Sequence, residues 1–163
     1  IQVRVSVWLD PWSDVSNKGY QIAQSLFAIA SGGYFGRGLG NGSPEYIPEV
    51  KTDFIFSAIC EEMGVFGGAA VIILFFLLSY RCFKITLNTK NEYNKAVGLG
   101  LTLMFAVQTF IIIGGVTKFI PLTGITVPFV SYGGTSIVVS FASLGIMQAI
   151  SAIEVRRELR ENE

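Results

Sequence analysis

Charged and apolar positions alternate in long blocks along this chain. No formal charge falls in the 18 residues between Glu62 and Arg81, the 22 between Lys95 and Lys118, or the 35 between Lys118 and Glu154. An 18-residue helix rises about 27 Å, close to the roughly 30 Å hydrocarbon thickness of a bilayer. Transmembrane helices are therefore expected at 57–80 and 96–117. The third block is too long and too punctuated for one helix, because Pro121, Gly124, Pro128 and Gly133-Gly134 fall in its first half. It divides into an irregular apolar loop at 118–134 and a helix at 135–153, capped by Thr135 or Ser136. Gly64, Gly67 and Gly68 give the first span close-packing surfaces. The expected class is an all-α polytopic membrane protein.

The flanks set an orientation. The 81–95 connection holds Arg81, Lys84, Lys90 and Lys95 against Glu92, and the 154–163 tail holds Arg156, Arg157 and Arg160. Short basic segments favour the cytoplasm, which places the 118–134 loop and residues 1–56 outside it. Within 1–56, Gln21 to Ser31 reads as a short interfacial or re-entrant helix with Ile22, Leu26, Ile29 and Ala30 on one face. The opening, Ile1-Gln2-Val3-Arg4, has no signal-peptide pattern and no initiator Met, so a piece preceded by further membrane helices, inactive in isolation, is expected.

Composition narrows the chemistry. Charged residues make up 15% of the 163, against about 25% in soluble domains. Twelve basic residues cancel twelve acidic ones, which leaves no global electrostatic case for nucleic acid. His is absent, which excludes imidazole proton shuttling and His-containing metal sites. Cys60 and Cys82 fit no ligand spacing or disulfide framework and read as small buried apolar groups.

Polar groups at the mouth of a membrane helix are expensive unless paired, hydrated or used. If Thr52 caps the first span, then Asp53, Ser57 and Glu61 share a face at four-residue spacing. Asp53 is then either a cap paired with Lys51 or Arg37, or a carboxylate facing a cavity where it takes a proton from a sugar hydroxyl. Asp53 and Glu61 would lie about 12 Å apart along the helix, too far for a hydrolytic dyad. The run Gly36-Arg37-Gly38-Leu39-Gly40-Asn41-Gly42 either forms a tight turn or holds a phosphate with its N–H groups and Arg37. It lacks the Lys-Ser or Lys-Thr of a nucleotide-binding loop. The hydroxyls of Thr123, Thr126, Ser131, Tyr132, Thr135 and Ser136 serve either the irregular backbone or a glycan.

Four segments carry a family resemblance. They are Leu9-Asp10-Pro11-Trp12 with Gly19-Tyr20-Gln21 and Gln24-Ser25; Ser31-Gly32-Gly33 through Gly40; Pro48-Glu49 through Thr52-Asp53-Phe54 and Glu61-Glu62-Met63-Gly64; and Pro121-Leu122-Thr123-Gly124 through Pro128-Phe129-Val130-Ser131-Tyr132-Gly133-Gly134-Thr135-Ser136. In this order they closely resemble the C-terminal part of the bacterial shape, elongation, division and sporulation (SEDS) proteins.

The resemblance implies a multi-pass protein of the bacterial cell membrane, here the C-terminal portion of a ten-helix bundle with a large extracytoplasmic loop containing short helices. It implies a peptidoglycan glycosyltransferase that polymerises lipid II and works with a class B penicillin-binding transpeptidase and other division or elongation proteins. The essential loop aspartate of the family falls on Asp53, with Glu49, Glu61 and Glu62 as supporting acids. Lys51 stands where relatives often carry His. Asp53 is expected to act as general base on the acceptor hydroxyl, with a divalent cation ordered by Asp53 as the other reading and no organic cofactor. Arg37, Lys51 or a cation would neutralise the leaving pyrophosphate, and Gly38, Gly40, Ser131 and Tyr132 are candidate substrate contacts. A lipid II flippase and a non-catalytic scaffold are the rival functions.

Overall fold

The structure is a computed structural model in which residues 8–10, 12, 19–42, 50, 52, 54–121 and 125–161 are described. Asp53, Lys51 and Glu49 lie outside the described residues, as does Thr123. Among the described residues the fold is carried by α1 (Tyr20–Gly32), α2 (Ile55–Asn88), α3 (Glu92–Val116) and α4 (Gly134–Glu161). By length and composition, α2, α3 and α4 can each cross a membrane.

A straight helix the length of α2, 34 residues, would rise about 51 Å, well past the hydrocarbon layer. It is not straight, because Gly64 leaves the helical region at φ 71° and ψ −168°. The portion after Gly64 is the apolar span, and it stays helical beyond Tyr80 through the charged residues to Asn88. Only 89–91 separate it from α3, fewer than the expected 81–95 connection. Lys, Arg and Leu are good helix formers, so an end to the apolar pattern need not end the helix. Asn91 starts α3 by accepting the amides of Tyr93 and Asn94 at its side chain.

Two expected caps are corrected. The N-cap of α2 is Phe54, without a side-chain bond, and not Thr52; the carbonyl of Phe54 accepts the amide of Ser57 at 3.0 Å. Thr135 and Ser136 lie inside the first turn of α4, whose Ile137 amide bonds to the carbonyl of Gly133 at 2.9 Å. Ser136 instead pairs its hydroxyl with that of Thr126 at 2.8 Å.

The buried face of α1 also differs from the expected one. Ala23, Ser25, Ala28 and Gly32 are buried, whereas Ile22, Leu26 and Ile29 are partly buried and Ala30 is exposed. Small residues let backbones approach, and α1 lies directly on the start of α2: a Cβ on Gly32 would overlap the carbonyl oxygen of Cys60. Ala28, Phe54, Phe56 and Cys60 form the core there, and a buried bond of 2.7 Å joins the hydroxyls of Ser25 and Ser57. Along the spans, a Cβ on Gly68 would meet the Cys60 sulfur at 2.7 Å, and one on Gly98 the Thr86 hydroxyl at 2.8 Å. Cys60 and Cys82 are both buried and unbridged.

The described residues of the 118–134 segment, 118–121 and 125–134, fold back on the helices as its punctuation suggested. Phe129, at φ 63°, sits between Phe105 and Phe141 with ring centroids 5.8 and 5.3 Å away. The Gln108 side chain donates to the carbonyl of Thr126 at 3.0 Å, which satisfies backbone that a helix would have paired internally. At the opposite end, Glu154 of α4 accepts the Lys90 amide at 3.2 Å, and both Lys90 and Arg157 pair with Glu161. The end of α4 is thereby tied to the α2–α3 turn.

Candidate active site

The break at Gly64 organises the polar end of α2. In an unbroken helix the amides of Val65 and Phe66 would donate to the carbonyls of Glu61 and Glu62. Here they donate to Gly33 and Tyr34 at 2.9 and 3.4 Å, while the carbonyls of Glu61 and Glu62 accept the amides of Arg37 and Gly38 at 3.0 Å each. Four bonds to the 33–38 loop replace two helical rungs. The approach requires glycine at two points: Gly36 and Gly64 both have positive φ, and a Cβ on Gly36 would overlap the carbonyl oxygen of Glu62, one on Gly64 that of Tyr34.

The two glutamates extend this clasp with their side chains. Glu61 is 4% exposed, and its carboxylate stands 3.5 Å from the guanidinium of Arg37, a side chain half open to the surroundings. The Glu62 carboxylate accepts the Gly40 amide at 3.2 Å. Residue 37 therefore grips Glu61 through both backbone and side chain, and the 38–40 turn grips Glu62 in the same way. The loop holds Arg37 at the mouth of a helix beside buried negative charge, an arrangement that fixes where a guanidinium can meet an anion.

This geometry changes one expectation from the sequence. The amides of Gly38 and Gly40 are committed to Glu62, that of Arg37 to Glu61, that of Gly36 to Gly32 and that of Asn41 to Gly38. These five amides are not open to a phosphate, because the broken helix accepts three of them and α1 and the loop itself the other two. The Arg37 side chain, by contrast, is half open to the surroundings.

Ser131 is 1% exposed, and its hydroxyl accepts the Val127 amide at 2.8 Å while donating to the carbonyl of Thr52 at 2.6 Å. Of the two roles open to it, backbone or glycan, this geometry fills the first. Its neighbour Tyr132 is 78% exposed. Asp53 is outside the described residues, but both chain neighbours are anchored, Thr52 by Ser131 and Phe54, 1% exposed, in the core. Glu61, Glu62 and Arg37 are brought together; Ser131 and Tyr132 belong to the second loop, which joins the site through Thr52.

Sequence reasoning missed the break itself and the Ser25–Ser57 bond. Gly64 follows Glu61-Glu62-Met63 directly, but in sequence nothing separates it from Gly67 and Gly68, which stay helical. Among the described residues no three His, Cys, Asp or Glu side chains gather into a cation site. Glu61 and Glu62 alone do not make one.

The family model described as "cell cycle protein", covering FtsW, RodA and SpoVE, matches residues 1–156. The chain belongs to this FtsW, RodA and SpoVE family. It is 44% identical over 160 residues to the peptidoglycan glycosyltransferase RodA of Mycobacterium tuberculosis, an alignment covering 98% of this chain and 34% of that protein. It is 43% identical over 150 residues to the stage V sporulation protein E of Bacillus subtilis, covering 91% of this chain and 41% of that one. The chain thus spans 34% to 41% of the length of these curated relatives. A solved structure described as "Structural coordination of polymerization and crosslinking by a peptidoglycan synthase complex" aligns with a TM-score of 0.75 at 28% identity. That alignment covers 93% of this chain and 41% of the other. The chain is a multi-pass bacterial membrane protein, all-helical among the described residues.

Proposed function

We propose that the protein containing this chain is a peptidoglycan glycosyltransferase that polymerises lipid II. The observation that carries this reading is the 44% identity, over 98% of the chain, to a protein named for that activity. The chemistry joins the 4-hydroxyl of one GlcNAc to C1 of a MurNAc carried on lipid pyrophosphate, with inversion at C1. The new O–C1 bond forms as the C1–O bond to pyrophosphate breaks, and the hydroxyl proton passes to the Asp53 carboxylate as general base. The leaving pyrophosphate takes the electron pair and needs positive charge more than a proton. Arg37 supplies that charge from its clasped loop, with Lys51, two residues before Asp53, as a second source. Glu61 and Glu62 act through Arg37 and the loop as positioning residues. The solved peptidoglycan synthase complex supports a penicillin-binding transpeptidase as the partner.

The test reconstitutes the full-length protein with its class B transpeptidase and labelled lipid II, comparing wild type with Asp53→Asn. Loss of polymer in a variant that melts normally is expected, and normal polymer from such a variant would end the base assignment. A chelator arm separates base from cation: activity lost to EDTA and restored by magnesium would assign Asp53 to ordering a metal. Asp53-dependent movement of lipid II across protein-bearing vesicles, without polymer, would transfer the protein to transport.

A further inference from the structure

Far along the chain from the glycine loop, α2 and α4 enclose a cavity of about 430 Å³ beside the α2–α3 turn, lined by Arg81, Lys84 and Asn88 on one side and by Ser151 and Glu154 on the other. The basic residues toward this end, among them Arg81, Lys84, Lys90 and Arg157, are not equivalent. Lys90 and Arg157 are both paired with Glu161. Arg81 and Lys84 have no ion pair among the described residues, and both are exposed. Glu154 makes no ion pair with either: its carboxylate accepts the amide of Lys90. The cavity lining therefore carries two cations against one carboxylate, with Arg81 and Lys84 three positions apart on one helix face and the Asn88 amide one turn further on. Four and seven residues back from Arg81, the same face of α2 carries Leu77 and Leu74, 54% and 64% exposed within the apolar span.

A ligand suited to this surface has a compact anionic head and an apolar body lying along a membrane helix. We propose that the cavity binds the phosphate of an anionic phospholipid, with Arg81 and Lys84 holding the phosphodiester, Asn88 and Ser151 offering hydrogen bonds, and an acyl chain lying over Leu77 and Leu74. The chemistry it shares with free phosphate is the tetrahedral anion; the exposed leucines below the cations favour the lipid. Basic pockets between membrane helices at the polar end of a span are suited to such head groups, each cation near the surface strengthening binding several-fold. The inference is independent of the reaction proposed above.

The experiment uses the full-length protein in neutral detergent, with bound lipid counted by native mass spectrometry. The probes are phosphatidylglycerol, phosphatidylcholine of the same acyl chains, and inorganic phosphate as competitor. Wild type is expected to retain phosphatidylglycerol about tenfold more strongly than phosphatidylcholine, with the preference collapsing in Arg81→Gln/Lys84→Gln. It is expected to persist in the charge-conserving Arg81→Lys/Lys84→Arg, and in Lys95→Gln, which removes a cation outside the cavity. Equal retention of the two lipids by wild type, or an unchanged preference in the double Gln variant, would overturn the proposal. Displacement of phosphatidylglycerol by millimolar phosphate would overturn the lipid assignment in favour of a free-phosphate site. If the double Gln variant fails to fold, the wild-type lipid comparison and the charge-conserving variant decide alone.

Discussion

Replacing Gly64 by alanine tests the clasp that fixes the glycine loop to α2. At φ 71° and ψ −168° an alanine is strained by about 1–3 kcal/mol, and its Cβ would overlap the carbonyl oxygen of Tyr34, so the loop must move if the break is kept. The alternative is for α2 to straighten. That restores two helical rungs, from Val65 and Phe66 to Glu61 and Glu62, and gives up the four bonds to Gly33, Tyr34, Arg37 and Gly38. Two fewer bonds at about 1 kcal/mol each make straightening cost about 2 kcal/mol. Both routes release the loop at similar cost, and hydrogen exchange distinguishes them from global loosening. In the straightened helix the amides of Val65 and Phe66 stay protected, whereas those of Arg37 and Gly38 lose their acceptors and exchange about 30-fold faster. Gly36→Ala, whose Cβ meets the other side of the same contact, gives the same pattern, and the double variant costs about as much as either single one. Gly100→Ala, where a Cβ meets nothing within 4 Å, is the silent control. Unchanged protection at residues 37 and 38 in Gly64→Ala, with an unshifted melting temperature, would refute the clasp.

Three further outcomes follow from the bonds around the site. Glu61→Ala is expected to destabilise by about 1–3 kcal/mol and to raise KM for lipid II more than it lowers kcat, with Glu61→Asp recovering part of the loss; a Glu61→Ala enzyme with wild-type KM would exclude the positioning role. Ser131→Ala leaves the buried Val127 amide and Thr52 carbonyl without their bond and should cost about 2–3 kcal/mol by thermal melting, whereas a change under 0.5 kcal/mol would show that the hydroxyl is not the tie between the two loops. Ser25→Ala and Ser57→Ala should each cost about 1–2 kcal/mol, and the double variant less than their sum, since a lone buried hydroxyl is worse than none; strict additivity would count against the bond.

Much of the architecture was legible because lipid imposes a simple rule: long uncharged runs become helices, and proline and glycine mark where they stop. The division at Lys118 and the irregular segment carrying Pro121 and Pro128 follow from that rule, and the close contact at Gly68 follows from the small residues of the first span. What was illegible depends on contacts distant in sequence. Gly64 reads locally as a packing glycine inside a helix, and only the arrival of Gly33 to Gly38, about thirty residues earlier, turns it into a break. The same contact consumes the amides that made the glycine run look like a phosphate cradle. The buried face of α1 was misjudged because apolar periodicity weights large side chains. Close approach to another backbone instead selects the small ones, Ala23, Ser25, Ala28 and Gly32. Glu61 and Glu62 were recognisable as a pair, but neither residue reveals in sequence that its carbonyl and carboxylate hold the same loop.

The central claim is that Asp53 takes the proton of the acceptor sugar. The most direct measurement is a structure of the full-length protein with a lipid-linked disaccharide in the acceptor position. The expected result is an Asp53 carboxylate oxygen about 2.6–3.2 Å from the GlcNAc 4-hydroxyl, or joined to it through one water, with the Arg37 guanidinium on the pyrophosphate side. A carboxylate walled off from the sugar by protein, or opening on the opposite membrane face from the bound substrate, would contradict it.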